Sequence, residues 1–342
     1  MSATQLNPGH ILQVGMGFWA SRTVLSATEL GVFTELGEDA LSGEELRERL
    51  DLAPRAVPDF PDALVALGFL DAEGNGPDRR YRNTPETAMF LHRDRPTYVG
   101  GMLEMCSDRL YGFWGDLTEA LRTGEPQNEI KRTGRPMFVE LYDDPDRLEQ
   151  FMHAMQGISL GPAHALAGAF DFSRYETVLD VGGATGLLST VLAEHHPHLR
   201  CTSWDLPVVQ PIADRFIAST AVADRVSTAA GDFFEDALPQ ADVLTMGLIL
   251  HDWNLEKKKH LIAAAFDALP DGGALIVIEA LIDDARREHA FGLLMSLNML
   301  IEFGDAFDYS GADFDGWCRG AGFRETEVLD LPGEMSAAVA YK

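Results

Sequence analysis

The chain has 342 residues, 46% hydrophobic and 24% charged, which fits a folded protein of about two domains. Fifty-four Asp and Glu outnumber 27 Lys and Arg, giving a formal charge of −27. That sign excludes general binding to a phosphate backbone and disfavours anionic membrane surfaces. Cys106, Cys201 and Cys318 are odd in number and far apart, so no disulfide framework or CxxC metal pair can be read. A reducing cytoplasm is the expected compartment. The N-terminal MSATQLNPGH has no basic start followed by an apolar stretch, so it is not a signal peptide. The most apolar run, 272–282, contains Glu279 and is too short to span a bilayer.

The first half reads as helical. Residues 10–35 carry Ile11, Leu12, Val14, Phe18, Trp19, Val24, Leu25, Leu30 and Phe33, apolar on more than one face, which predicts a helix buried in a core or against another subunit. Ser42 opens a short polar helix, with Glu45 at capping-box spacing. Residues 54–68 predict a further helix interrupted by Pro58 and Pro61, before a small hairpin around a Gly/Asn/Pro loop at 74–77. Helix, helix, hairpin is the pattern of a winged helix. Between Glu38 and Asp78, however, eleven acids face three arginines, and Arg55 sits beside Asp59 and Asp62. A groove reader needs the opposite sign, so a structural, dimerising role is expected.

The second half alternates strand and helix. Strands are predicted at 177–182, 199–205, 226–232, 241–250 and 273–282, with helices at 186–195, 207–220 and 255–268. This alternation predicts a mostly parallel sheet covered on both faces. Helices follow near 286–304 and 311–321. Strands at 325–331 and 336–342 then close the sheet as a hairpin.

The strongest local signal is Val178 to Gly186, an apolar strand running into a glycine turn that opens a helix. Glycines there supply unusual dihedrals and let a ligand approach the backbone. The turn does not fit G-x-G-x-x-G. Asp205, about 20 residues on at the end of the second strand, stands where an acid accepts ribose hydroxyls. Asp232 ends the third strand in Gly231-Asp232-Phe233-Phe234, a carboxylate and an aromatic suited to an adenine amine and face. Either acid alone also suits a turn or helix cap. Together with the glycine turn, all at carboxyl ends of parallel strands, they point to an adenosyl cofactor. No GxxxxGK[ST] motif is present and no arginine closely follows Asp205, so a cofactor without phosphate, S-adenosyl-L-methionine, is expected.

The fourth strand ends in Leu250-His251-Asp252-Trp253. A histidine leaving an apolar strand at its carboxyl end points into the ligand crevice, and its ordinary pKa suits general-base work. Glu279 interrupts the apolar Leu275–Ile278 run at the matching end of the next strand and can orient the imidazole and stabilise its charged form. Glu194 to His198 reads as a solvated helix end, since histidine is favoured there. His153 and His164 carry no motif, no HExxH or acid cluster is present, and no metal is expected.

From 179 to 322 the chain resembles class I S-adenosylmethionine-dependent small-molecule O-methyltransferases of the plant caffeate and flavonoid type and their bacterial antibiotic-pathway relatives. The matching stretches are DVGGATG (180–186), WDLPVV (204–209), GDFF (231–234), LILHDW (248–253), LPDGGALIVIE (269–279) and DYSGADF (308–314). The resemblance implies a winged-helix-like dimerisation domain (1–100), connecting helices that contribute to the substrate pocket (101–170) and a Rossmann-like cofactor domain (171–342). It implies a homodimer with a small aromatic hydroxylated substrate. Gly182 would line the cofactor, Asp205 hold the ribose, and Asp232 and Phe233 bind adenine. Met155 and Ser159 match a segment that touches cofactor and substrate. His251 would be the base, flanked by Glu279 and Asp308. Three positions depart from the family: Ala184 replaces a loop glycine, Gly247 replaces a lysine common in the plant enzymes, and Asp308 is shorter than the usual glutamate.

The expected reaction is methyl transfer to an aromatic hydroxyl, with His251 taking the phenolic proton. Candidate pocket walls are Leu294, Met295, Asn298, Met299 and Phe303 on one side, and Met102, Met105 and Trp114 on the other. Such residues at helical spacing also serve as ordinary core. A polyketide-derived naphthoate or anthraquinone would fit the bacterial relatives. The alternatives are a decarboxylase or hydroxylase on the same fold, or a ligand-sensing winged-helix regulator. The first has no need of the His251–Glu279 pair, and the second conflicts with the acidic module.

Overall fold

A computed structural model describes residues 6–342. The chain divides into two units, Met1–Tyr111 and Gly112–Lys342. Residues 101–111 therefore group with the first unit and 112–170 with the second.

In the first unit the apolar run predicted at 10–35 forms three helices, Gly9–Gly15, Gly17–Glu29 and Val32–Leu36. Breaks fall at Met16 and at Gly31, whose φ of 74° suits glycine. The run also divides by burial. Leu25, Ala27, Val32, Phe33 and Leu36 are buried, while Ile11, Leu12, Val14, Phe18 and Trp19 are 54–73% exposed. The expected capping box forms: Ser42 Oγ accepts from the Glu45 amide at 3.2 Å and Glu45 Oε2 accepts from the Ser42 amide at 2.7 Å. It starts the Gly43–Arg49 helix. Pro58 splits 54–68 into a 3₁₀ turn, Pro54–Ala56, and a helix, Asp59–Ala66, whose first turn takes in Pro61 without a break. Three antiparallel strands follow the order β1 (Leu41–Ser42), β3 (Arg80–Asn83), β2 (Leu70–Glu73). Arg55 is paired with Asp59.

The second unit is built on seven strands: β4 (Thr177–Val181), β5 (Arg200–Asp205), β6 (Val226–Ala230), β7 (Val243–Gly247), β8 (Ala274–Glu279), β9 (Glu325–Asp330) and β10 (Ser336–Tyr341). Their order is β6-β5-β4-β7-β8-β10-β9. The first five are parallel, and β10 pairs antiparallel with β8 and β9. The crossover helices are Leu187–His195, Gln210–Ala218 and Leu255–Ala268. Residues in β8 alternate between two cores. Ile276 and Ile278 join Leu166, Phe172 and Leu192, while Leu275 and Val277 join Leu179, Leu261 and Phe314. A strand covered on both faces is apolar throughout, which makes Glu279 at its end conspicuous. Strand order reverses between β4 and β7, and the crevice at the carboxyl ends there is where open α/β sheets bind ligands. Among the described residues no helix is long and apolar enough to cross a membrane, and no group of three or more side chains is arranged to hold a metal.

The histidines at the end of the Leu187–His195 helix do more than face water. His195 Nε2 lies 3.1 Å from His164 Nδ1, His196 Nε2 lies 2.9 Å from the Ala167 carbonyl, and His198 Nε2 lies 3.2 Å from that of Phe172.

Candidate active site

The glycine turn after β4 has the dihedrals its sequence implies. Gly182 and Gly186 have φ of 71° and 80°. Side-chain ends also crowd the turn: a Cβ would meet Ile249 at 2.3 Å from Gly182, Ser203 at 2.3 Å from Gly183 and Ile217 at 2.8 Å from Gly186. Packing of the turn itself thus favours small residues, independently of any ligand. Ala184, where the family has glycine, holds φ at 49°, a left-handed conformation that costs an L-residue on the order of 1–2 kcal/mol. Its amide donates to Asp205 Oδ2 at 2.9 Å, and the Leu206 amide donates to Oδ1 at 2.7 Å. Asp205 therefore ties the turn to the end of β5. Burial raises its carboxyl above the usual range, against those two amides. Asp180, just before the turn, accepts from the Thr245 hydroxyl at 2.8 Å, and burial pushes it up to about 7.

Asp232 caps its own turn, accepting from the Phe234 amide at 2.9 Å. Phe233 and Phe234 pack edge-on, at 4.8 Å between centroids, and both meet Trp253. The turn after β6 is thereby joined to the turn that carries His251. Phe138 and Tyr142 close the ring. Phe138 stacks on Tyr142 at 5.7 Å and on Phe303 at 5.5 Å, and lies 6.3 Å from Trp253. Tyr142 is pushed upward by burial and then by Asp205, Asp252 and Asp232. The acids at the end of β5, after β6 and beside His251 thus all act by charge on one phenol. Phe138 and Tyr142 carry no motif, although their i, i+4 spacing marks a common helix face.

His251 is buried in a 3₁₀ turn, Leu250–Asp252. The turn begins after Leu248, a leucine at φ 56°, so the backbone is strained where it leaves β7. His251 Nδ1 lies 3.3 Å from Asp308 Oδ1 and Nε2 lies 3.4 Å from Asp252 Oδ1. The shorter Asp308 does reach the ring, by a long contact. Asp252 was not singled out in the sequence. Its signal was its place next to the candidate base. Glu279 ends β8 as expected, but its Oε1 accepts from the backbone amides of Ile249 and His251 at 3.1 and 3.0 Å and not from the ring. It holds the turn and acts on the imidazole through charge, while Asp308 and Asp252 face the ring. Burial pulls His251 down, but Asp252, Asp308 and Glu279 outweigh it and raise the imidazole to about 9. Asp252 is pushed up to about 7 by the same burial, against the pull of His251.

The remaining candidates lie on two helices. Met155 and Ser159 are half-buried on Pro145–Ala169, where the neighbouring Gln156 has a buried Oε1 without a hydrogen-bond partner. On Ala290–Phe303, Met299 is buried, Met295 half-buried and Leu294 51% exposed. Asn298 Oδ1 accepts from Trp114 Nε1 at 2.9 Å. Met102 and Met105 belong to the first unit. A Cβ on Gly247 would meet nothing within 4 Å, so the missing lysine leaves open space there.

Comparison with known proteins gives this geometry a family. The O-methyltransferase domain matches residues 114–324, and the O-methyltransferase dimerisation domain matches residues 12–93. The tetracenomycin polyketide synthesis 8-O-methyl transferase TcmO of Streptomyces glaucescens is 42% identical, over 98% of this chain and 97% of that protein. The N,N-dimethyltransferase OxyT of Streptomyces rimosus is 34% identical, over 96% of each. The crystal structure of human N-acetylserotonin methyltransferase in complex with SAM superposes with a TM-score of 0.91 at 28% identity, over 100% of this chain and 99% of that one.

The protein is a homodimer through its N-terminal unit, and the exposed Ile11, Leu12, Val14, Phe18 and Trp19 form the kind of patch that a partner covers. Replacing Phe18 and Trp19 together by glutamate is expected to shift the protein from dimer to monomer at micromolar concentration, because aromatic anchors dominate such interfaces. Light scattering coupled to size-exclusion chromatography reads the mass. An unchanged dimer would place the interface elsewhere. Fold, strand-end acids, histidine turn and sequence relationships agree: the chain belongs to the S-adenosylmethionine-dependent O-methyltransferases.

Proposed function

We propose that the protein methylates a phenolic hydroxyl of a fused-ring aromatic of the polyketide type, in the cytoplasm, with His251 as the general base. One observation carries the reading: a buried imidazole whose Nδ1 is held by Asp308 while Nε2, beside Asp252, faces away from it. The polyketide methyltransferase TcmO, at 42% identity, supports the acceptor class. A phenol has a pKa near ~10 and is a weak nucleophile until its proton leaves. His251 removes that proton, and Asp308 and Asp252 stabilise the imidazolium that results. The carboxylates around His251 favour an oxygen acceptor, because an uncharged amine attacks without prior loss of a proton.

The residues present suit the cofactor. Segments 180–186, 204–209 and 231–234 hold Asp180, Asp205 and Asp232 and no lysine or arginine, a donor set for hydroxyls, an amine and a cation and not for phosphate. Asp205 would take the ribose hydroxyls, Asp232 and Phe233 the adenine, and Gly182 and Ser159 the remaining edges. S-adenosylmethionine, when bound, supplies an electrophilic methyl carried on a sulfonium. Met155, Met295, Asn298 and Met299 would seat the acceptor ring. Fixing it against the base supplies much of the remaining rate.

The test is methyl transfer to a panel of hydroxylated and aminated fused-ring aromatics, read by mass spectrometry. A gain of one methyl on oxygen is expected. Methylation of the amines alone would move the protein toward the OxyT type. The pH profile carries a second expectation. A base must be neutral, and the surrounding acids raise His251 to about 9, so the imidazolium dominates at neutral pH. kcat/KM is therefore expected to climb about tenfold per pH unit from neutrality toward that value. A profile already flat at neutral pH would contradict a base in this environment.

A further inference from the structure

Lys258 is wholly buried. It lies in the Lys257-Lys258-Lys259 run, yet it falls on the apolar stripe with Leu261, Ile262 and Ala265. An unpaired buried ammonium is costly, so its partners matter. Nζ donates to the Leu250 carbonyl at 2.8 Å and to the Trp253 carbonyl. These two carbonyls lie on either side of His251 in the chain. The same ammonium lies 4.2 Å from the Phe307 ring centroid and 5.6 Å from that of Tyr309, the residues on either side of Asp308. One cation therefore touches both segments that meet in the His251–Asp308 contact.

We propose that Lys258 is a positioning residue for the reaction: it clamps the turn carrying His251 against the segment carrying Asp308, and its charge offsets the carboxylates gathered there. The inference rests on His251 being the base. The groups facing Lys258 are Asp252 from the turn, Glu279 from β8, and Asp305 and Asp308 from the segment after the Ala290–Phe303 helix. Those facing His251 are Asp252, Glu279 and Asp308. Burial and then Glu279 hold the Tyr309 phenol well above its usual range. Four carboxylates thus surround one ammonium. Removing it leaves their charge to the remaining groups, and the cluster then holds protons more firmly, His251 included.

The test is Lys258→Met, which keeps the length of the side chain and removes its charge and donors, with His251→Ala in parallel. Thermal midpoint and S-adenosylmethionine Kd are measured on the same samples. The expected result for Lys258→Met is a fall in kcat of at least about tenfold, with acceptor KM and cofactor Kd within about threefold. Below about pH 8, where Lys258 keeps its charge against burial, the acid limb of the pH profile moves up. Should this variant fail to fold, Lys258→Gln, which keeps one donor without charge, carries the same expectations. An acid limb that stays in place overturns the proposal whatever happens to kcat, as does a loss confined to KM or Kd. If His251→Ala keeps the wild-type rate, the base assignment fails. If it loses activity while Lys258→Met keeps both kcat and the acid limb, only the role of Lys258 fails.

Discussion

Changing His251 to alanine is expected to lower kcat for a phenol of ordinary acidity by about 10²–10⁴-fold, the usual contribution of a positioned general base. The cofactor Kd should hardly move. His251 faces Asp252 and Asp308, whereas Asp205 holds the Ala184 amide at the end of β5. The substitution removes a buried imidazole and leaves Asp308 and Asp252 without their partner, so a drop in thermal midpoint should accompany the kinetic loss. Calorimetric titration with S-adenosylmethionine separates the two effects. A folded variant that binds cofactor and still turns over near the wild-type rate would remove His251 from the chemistry.

The second large effect is at Asp205. Replacing it with alanine should weaken S-adenosylmethionine binding by on the order of 100-fold or more, since two hydroxyl contacts to a carboxylate are each worth about 1.5–3 kcal/mol. The loss has an indirect part. Asp205 also takes the Ala184 and Leu206 amides, and without it the turn at the strained Ala184 loses its anchor. Asp205→Asn keeps one acceptor oxygen and should fall between the wild type and alanine. Calorimetric Kd values within about threefold of wild type for both variants would make Asp205 a turn residue and nothing more.

The centre of the sheet was legible because β4, β7 and β8 are apolar runs that stop at a glycine or an acid, and β5 and β6 stop at Asp205 and Gly231. The chemistry-bearing side chains at those stops, Asp205, Asp232, His251 and Glu279, were legible for the same reason. What each side chain touches was less so. Glu279 looked like a partner for the imidazole because both stand at the ends of adjacent strands, but the chain turns sharply after the strained Leu248 and presents amides to the carboxylate instead. Asp252 was hidden by its place in a motif, and Lys258 by the lysines on either side of it. Only helical phase distinguishes Lys258 from Lys257 and Lys259. In the first unit, the apolar run at 10–35 reads as continuous because its hydrophobic pattern does not stop, although Gly15 and Gly17 flank the break at Met16 and Gly31 stands at the second.

The most direct measurement compares two acceptors on the same ring. One has a phenol of ordinary acidity. The other carries an electron-withdrawing group that ionises the phenol at assay pH. Single-turnover methyl transfer is followed for wild type and His251→Ala. If His251 acts by removing the proton, the variant should lose about 10²–10⁴-fold on the first acceptor and little on the second, which has no proton to give up. An equal loss on both acceptors would make the histidine structural, and no loss on either would contradict the account.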